Sequence, residues 1–126
     1  MLEPTRIYVK AILDTIHVFR DEGVIHGLAH ITGGGLVDNI PRILPKGCEV
    51  VLKRGTWPLP AILPWLQRLG NIEQAEMDRV FNGGLGFIVV VAAKAAKAVC
   101  EHLQNLRMMT HIVGEVVAGE PGVRFV

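Results

Sequence analysis

Residues 30 to 35 read His30-Ile31-Thr32-Gly33-Gly34-Gly35, and an apolar, helix-spaced stretch begins at Leu36. Glycines carry no Cβ, so the backbone at such a run can approach a ligand closely. A helix starting just after them turns unpaired N–H groups and the positive end of its dipole toward an anion. His26 and His30 are four apart on an expected strand and so share a face at the entrance. This chemistry suits a phosphorylated small molecule. A plain strand-to-helix turn has the same composition. No G-K-[ST] follows, so the run is not a P-loop, and its spacing is not the dinucleotide G-x-G-x-x-G fingerprint.

A second glycine group, Asn82-Gly83-Gly84-Leu85-Gly86, precedes an apolar run that reads as a strand. A tight entry or bulge explains it, and Asn82 is placed to orient a polar ligand atom. In Lys53-Arg54-Gly55-Thr56-Trp57-Pro58 the cations could meet a phosphate, but a solvated loop with Trp57 as packing anchor fits better. His17, His102 and His111 stand singly. No acid or cysteine partners His26 and His30 at ligand spacing, so no metal site is expected. The chain contains no serine, which excludes a Ser-His-Asp triad. Asp38, in the first turn after the first glycines, suits the helix dipole and would oppose a phosphate at that helix end.

These residues need elements to hold them. Tyr8 to Arg20 has apolar residues at helical spacing (Val9, Ile12, Leu13, Ile16, Phe19), which predicts an amphipathic helix. Residues 24–31 read as a strand and 36–44 as a short helix, with Pro41 tolerable only near its first turn. Residues 48–53 read as a strand, 61–69 as a helix around Pro64, and 72–79 as a polar helical turn or two. The apolar run 85–91 predicts a central strand covered on both faces. Residues 92–107 are helical, 110–117 a strand, and 122–126 a short edge strand. That order predicts helices packed on a mixed sheet.

The 126 residues suit one domain, half of them hydrophobic. The net charge of +1 leaves no footprint for nucleic acid and no polybasic membrane anchor. No apolar run approaches membrane-spanning length, and residues 1–5 do not read as a signal peptide. Cys48 and Cys100 lie in no C-x-x-C pattern and are expected as free thiols in a reducing cytoplasm. A cysteine nucleophile has no local signature here.

One resemblance covers essentially the whole chain. The runs Pro4-Thr5-Arg6-Ile7-Tyr8-Val9-Lys10, His26-Gly27-Leu28-Ala29-His30-Ile31-Thr32-Gly33-Gly34-Gly35-Leu36 and Asn39-Ile40-Pro41-Arg42 resemble the phosphoribosylformylglycinamidine cyclo-ligase (aminoimidazole ribonucleotide synthetase) family in its C-terminal domain. Thr56-Trp57-Pro58, Trp65-Leu66-Gln67, Phe81-Asn82, Gly84, Gly86 and Ile112-Val113-Gly114-Glu115-Val116 continue the match. Gly83 departs from it, since family members commonly carry a larger residue there, often methionine.

The resemblance implies an α+β fold, a three-layer α/β/α sandwich with a mixed sheet. It implies that residues 1–126 are the C-terminal domain of a longer two-domain enzyme, inactive alone. The implied reaction closes the imidazole ring of formylglycinamidine ribonucleotide in purine biosynthesis, with ATP and Mg²⁺ held mainly by the N-terminal domain. A cytoplasmic homodimer is the implied setting, and neither nucleic acid nor membrane is an expected partner. Carried over by residue, His30 is placed to hydrogen-bond the substrate amide or to assist proton transfer. Thr32, Gly33, Gly34 and Gly35 meet phosphate or the substrate's polar edge, and Asn82 and Gly84 line the same cleft. Arg6 and Lys10 are possible phosphate contacts. Two rival expectations stand beside this: a stand-alone nucleotide- or partner-binding module without catalysis, and a domain of another ATP-using enzyme of the same superfamily.

Overall fold

The computed structural model describes residues 6–126. It has five α-helices and five strands: α1 Val9–Val18, β1 Ile25–His30, α2 Gly35–Asn39, β2 Cys48–Leu52, α3 Ile62–Gly70, α4 Gln74–Val80, β3 Phe87–Val91, α5 Ala96–Asn105, β4 Gly114–Ala118 and β5 Val123–Phe125. The described residues separate into two compact units, 6–28 with 89–112 and 29–88 with 113–126.

In the first unit α1 packs on α5. Ile12, Thr15 and Phe19 are buried from α1 and its C-cap, and Val99 and Leu103 from α5. The expected amphipathic helix is therefore present, and Thr15 returns its hydroxyl proton to the Ala11 carbonyl at 2.7 Å. His102 Nε2 meets Asp14 Oδ2 at 2.9 Å, and its ring meets Phe19 edge-on.

The second unit is built around β2. Its sheet has the order β4-β2-β5, with β4 antiparallel and β5 parallel to β2. That makes the sheet mixed, and β5 lies at an edge as expected. Gly114 opens β4 because a side chain there would run into the Val51 carbonyl. The core gathers Ala29, Ile31, Leu36, Ile40, Val50 and Leu52, with Ile40 wholly excluded from solvent.

Three expectations are corrected. First, 85–91 is not a doubly covered central strand. Among the described residues β3 pairs only with β1, in a two-stranded sheet, and all five of its residues are half-buried. An apolar run signals burial without saying which strand becomes central. Here that place went to β2, whose alternate residues Val50 and Leu52 pack in the core. Second, the 36–44 helix breaks: α2 ends at Asn39 and a 3₁₀ turn runs Ile40–Ile43. Pro41 has no N–H to continue the α-helical ladder, but it fits the start of the tighter turn. Third, the last long strand begins at Gly114 rather than at residue 110.

Candidate functional site

Both glycine loops lie in the second unit. β1 ends at His30, and the next residue, Ile31, is buried and donates its N–H to the Gly86 carbonyl at 2.9 Å. That bond ties the end of the first strand to the second loop. Gly83 then faces Leu36 across 3.7 Å, measured from where its Cβ would stand. The residues flanking the first loop, Ile31 and Leu36, thus lie against Gly86 and Gly83 of the second glycine group.

The first loop is fastened from inside. Asn39, at 5% exposure, sits among core residues at the end of α2. Its Nδ2 donates toward the carbonyls of Thr32 at 3.2 Å, Gly33 at 3.3 Å and Gly35 at 2.7 Å. An amide nitrogen has two protons, so one is shared between two acceptors. The Thr32 hydroxyl donates to Asn39 Oδ1 at 3.3 Å, and the Gly35 N–H returns to the Thr32 carbonyl at 3.0 Å.

The three glycines are not equivalent. A Cβ on Gly35 would strike the Phe81 carbonyl and stand 2.6 Å from the Asp78 carbonyl, and its φ is +61°. The close packing of α2 on α4 therefore demands glycine there. A Cβ on Gly34, at φ +96°, would meet the Asp38 side chain at 2.6 Å. Gly33 has no left-handed φ, nothing within 4 Å of its Cβ position, and an exposed backbone. Of the three, only Gly33 lacks an internal reason to be glycine. A side chain at Gly34 would first collide with Asp38 of its own helix.

Asp38 also changes the loop's electrostatics. Its exposed carboxylate adjoins Gly34 at the start of a helix only five residues long. A carboxylate there opposes a bare phosphate dianion.

The second loop is largely self-contained. Asn82 Oδ1 accepts the Gly84 N–H at 2.8 Å, and the Gly83 carbonyl accepts Trp57 Nε1–H at 2.9 Å. Gly84, at φ +90°, leaves room for the Pro60 ring, which a Cβ would approach to 2.5 Å. The turn and Pro60 thus account for Gly84. Asn82 is exposed, and its Nδ2 has no hydrogen-bond acceptor among the described residues.

The His30 side chain is exposed and stacks on Phe87, with centroids 6.1 Å apart and planes at 27°. Arg6 and Lys10 are exposed and belong to the first unit, whereas both loops belong to the second. Arg54 is not a free phosphate ligand. It grips Asp78 with both terminal nitrogens, at 3.2 and 2.6 Å, and lies 4.2 Å over the Phe125 ring. Trp57 is the packing anchor expected of it. Beside it a cavity of about 200 Å³ is walled by Leu36, Trp57, Leu63, Met77, Phe81 and Phe125.

No group of three or more metal-ligating side chains occurs among the described residues. Cys48 and Cys100 are free thiols. Burial, and then the charge of Glu101, push the Cys100 thiol above its ordinary pKa, which makes it a poor nucleophile. No helix among the described residues is long and apolar enough to cross a membrane.

Asn39 is the residue that sequence reasoning passed over as a site component, whereas Asp38 was expected to oppose a phosphate at that helix end. A signal for Asn39 existed: a polar residue occupies a position where helical spacing from Leu36 calls for a core side chain.

Residues 1–126 match the family described as AIR synthase related protein, C-terminal domain. The chain is similar to the phosphoribosylformylglycinamidine cyclo-ligase of Geotalea daltonii, at 44% identity over 100% of this chain and 35% of that protein. It is similar to the protein of that name from Symbiobacterium thermophilum, at 48% identity over 97% of this chain and 33% of that protein. The chloroplastic protein of that name from Arabidopsis thaliana is 46% identical over 95% of this chain and 30% of its own length. The chain thus spans about a third of each relative. Among solved structures, E. coli HypE, a hydrogenase maturation protein, has a similar fold: TM-score 0.64 and 22% identity, covering 90% of this chain and 36% of that one.

Proposed function

The chain belongs to the AIR synthase related protein family, C-terminal domain, and from that premise we propose that it is the C-terminal domain of a phosphoribosylformylglycinamidine cyclo-ligase. The whole protein would close formylglycinamidine ribonucleotide to aminoimidazole ribonucleotide. In that reaction the formamide oxygen takes the γ-phosphoryl group of ATP, leaving ADP. The amidine nitrogen then attacks the activated carbon, the carbon–oxygen bond breaks, phosphate departs, and the attacking nitrogen loses a proton.

The observation that carries the site assignment is Gly33, an exposed glycine that the fold itself does not require. Its N–H is a backbone donor for the substrate. Because Asp38 opposes a bare dianion, the loop suits the substrate's formamide–amidine edge better than its phosphate. Thr32 keeps an oxygen lone pair to accept from that edge, since its proton goes to Asn39. His30, exposed beside the loop, is the group to receive the proton at ring closure. Asn82 offers its amide N–H groups from the second loop. Gly34, Gly35 and Gly84 serve by shaping the loops.

The residues here do not fit Mg²⁺, because Asp38 is the lone acid at the loop and no ligand cluster exists among the described residues. No step is assigned to the metal in this domain. Metal and nucleotide belong to the remaining two-thirds of the protein, which would also supply the facing domain and the homodimer contacts.

The test is direct. The whole protein carrying this domain is supplied with formylglycinamidine ribonucleotide and Mg-ATP, and aminoimidazole ribonucleotide is measured. Product that depends on both substrates is expected. No product under conditions where the G. daltonii relative turns over would overturn the reading.

A further inference from the structure

We propose that Asn39 is a positioning residue for this reaction: it sets the conformation of the loop 32–35 before substrate arrives. The proposal rests on the reading above. Asn39 is the one buried polar side chain of the second unit among the described residues, set between Leu36 and Ile40 of the core. A buried amide costs stability unless its hydrogen bonds are made. It makes them all with the loop: three carbonyls on Nδ2 and the Thr32 hydroxyl on Oδ1. None goes to a strand or a neighbouring helix.

The consequence is geometric. A trans peptide holds its N–H opposite its C=O. Drawing the Thr32 and Gly33 carbonyls toward Asn39 turns the N–H groups of Gly33 and Gly34 the other way. Neither N–H donates to any acceptor among the described residues. The donor assigned to the substrate, the Gly33 N–H, is therefore aimed by a side chain that never touches it. Backbone donors work in catalysis when they are aimed in advance, because reorganisation is then not needed during the reaction. The glycines could otherwise sample many conformations, since they have the least restricted backbone.

The experiment compares Asn39→Ser, Gly33→Ala and the double variant in the whole protein, with kcat and KM expressed per folded molecule. Asn39→Ser is neutral and too short to span the carbonyls. A loss of roughly 100-fold in kcat is expected, the scale that a misplacement of about 1 Å brings, while KM for Mg-ATP stays put. The double variant is expected to fall little below the worse single one, because the Gly33→Ala methyl hinders access to the same N–H that Asn39→Ser misdirects. Should Asn39→Ser not fold, Asn39→Thr takes its place, since its hydroxyl likewise cannot span the three carbonyls; a drop in kcat with KM for Mg-ATP unchanged is again expected, and unchanged kcat overturns the positioning role. Unchanged kcat in folded Asn39→Ser, or losses that simply multiply in the double variant, overturns the positioning role alone. An unmutated protein that makes no product overturns the proposed function and this inference together.

Discussion

The two glycine loops of the second unit look alike in sequence and are built on opposite plans. Residues 32–35 are clamped from the core by Asn39 and roofed by the carbonyls of α4. Residues 82–84 hold themselves, through Asn82 closing on Gly84 and the Gly83 carbonyl accepting from Trp57. The comparison shows that a glycine count measures backbone demand, not ligand contact. Of the five glycines at these positions, four have a positive φ. The exception, Gly33, is the one whose Cβ position has open space around it.

Substitutions can break that distinction, and they fall in order of expected effect on stability. Gly35→Ala comes first. Its methyl group would press on two backbone carbonyls that cannot swing aside, at a positive φ, so a loss of about 3–5 kcal/mol is expected. Urea denaturation of the domain checks it, and a midpoint near the unmutated value would refute the roofing of α2 by α4. Gly84→Ala comes next, at about 2 kcal/mol, because the Pro60 ring can yield where backbone cannot. A cost equal to that of Gly35→Ala would erase the difference between the loops.

Arg54→Ala is smaller. The Arg54 and Asp78 side chains are 44% and 15% exposed, so solvent screening holds the pair to about 1 kcal/mol or less. Its effect should shrink further in high salt. A loss that ignores salt would point instead to Arg54's packing on Phe125. Gly33→Ala is expected to sit within about 0.5 kcal/mol of the unmutated stability, yet to lower turnover of the whole protein. That split between intact folding and impaired chemistry is the sharpest form of the comparison. A destabilised Gly33→Ala, or one of full activity, removes Gly33 from the site.

Much of this was legible from local pattern. The helix over 8–20 and the strands over 24–31 and 48–53 follow directly from spacing. The break at Pro41 was signalled by chemistry, although its placement had to await the 3₁₀ turn at Ile40–Ile43. The run over 85–91 misled, because hydrophobicity marks a tendency to be buried and says nothing of which neighbours do the burying. The candidate site was legible as a location but not as a wiring diagram. His30, Thr32 and the glycines are adjacent in the chain, so their grouping needed no fold.

The amino-acid sequence alone determined the types and places of most elements, the absence of a serine nucleophile, the glycine loops and the family resemblance. These depend on nearest-neighbour chemistry and on periodicity, which a linear string carries in full. Tertiary structure alone decided which glycine is open, that Asn39 reaches back to three carbonyls, and that Arg54 is spent on Asp78. Each of those depends on distances of a few ångströms between groups whose relative placement is set by packing, and no spacing along the chain encodes a direction in space.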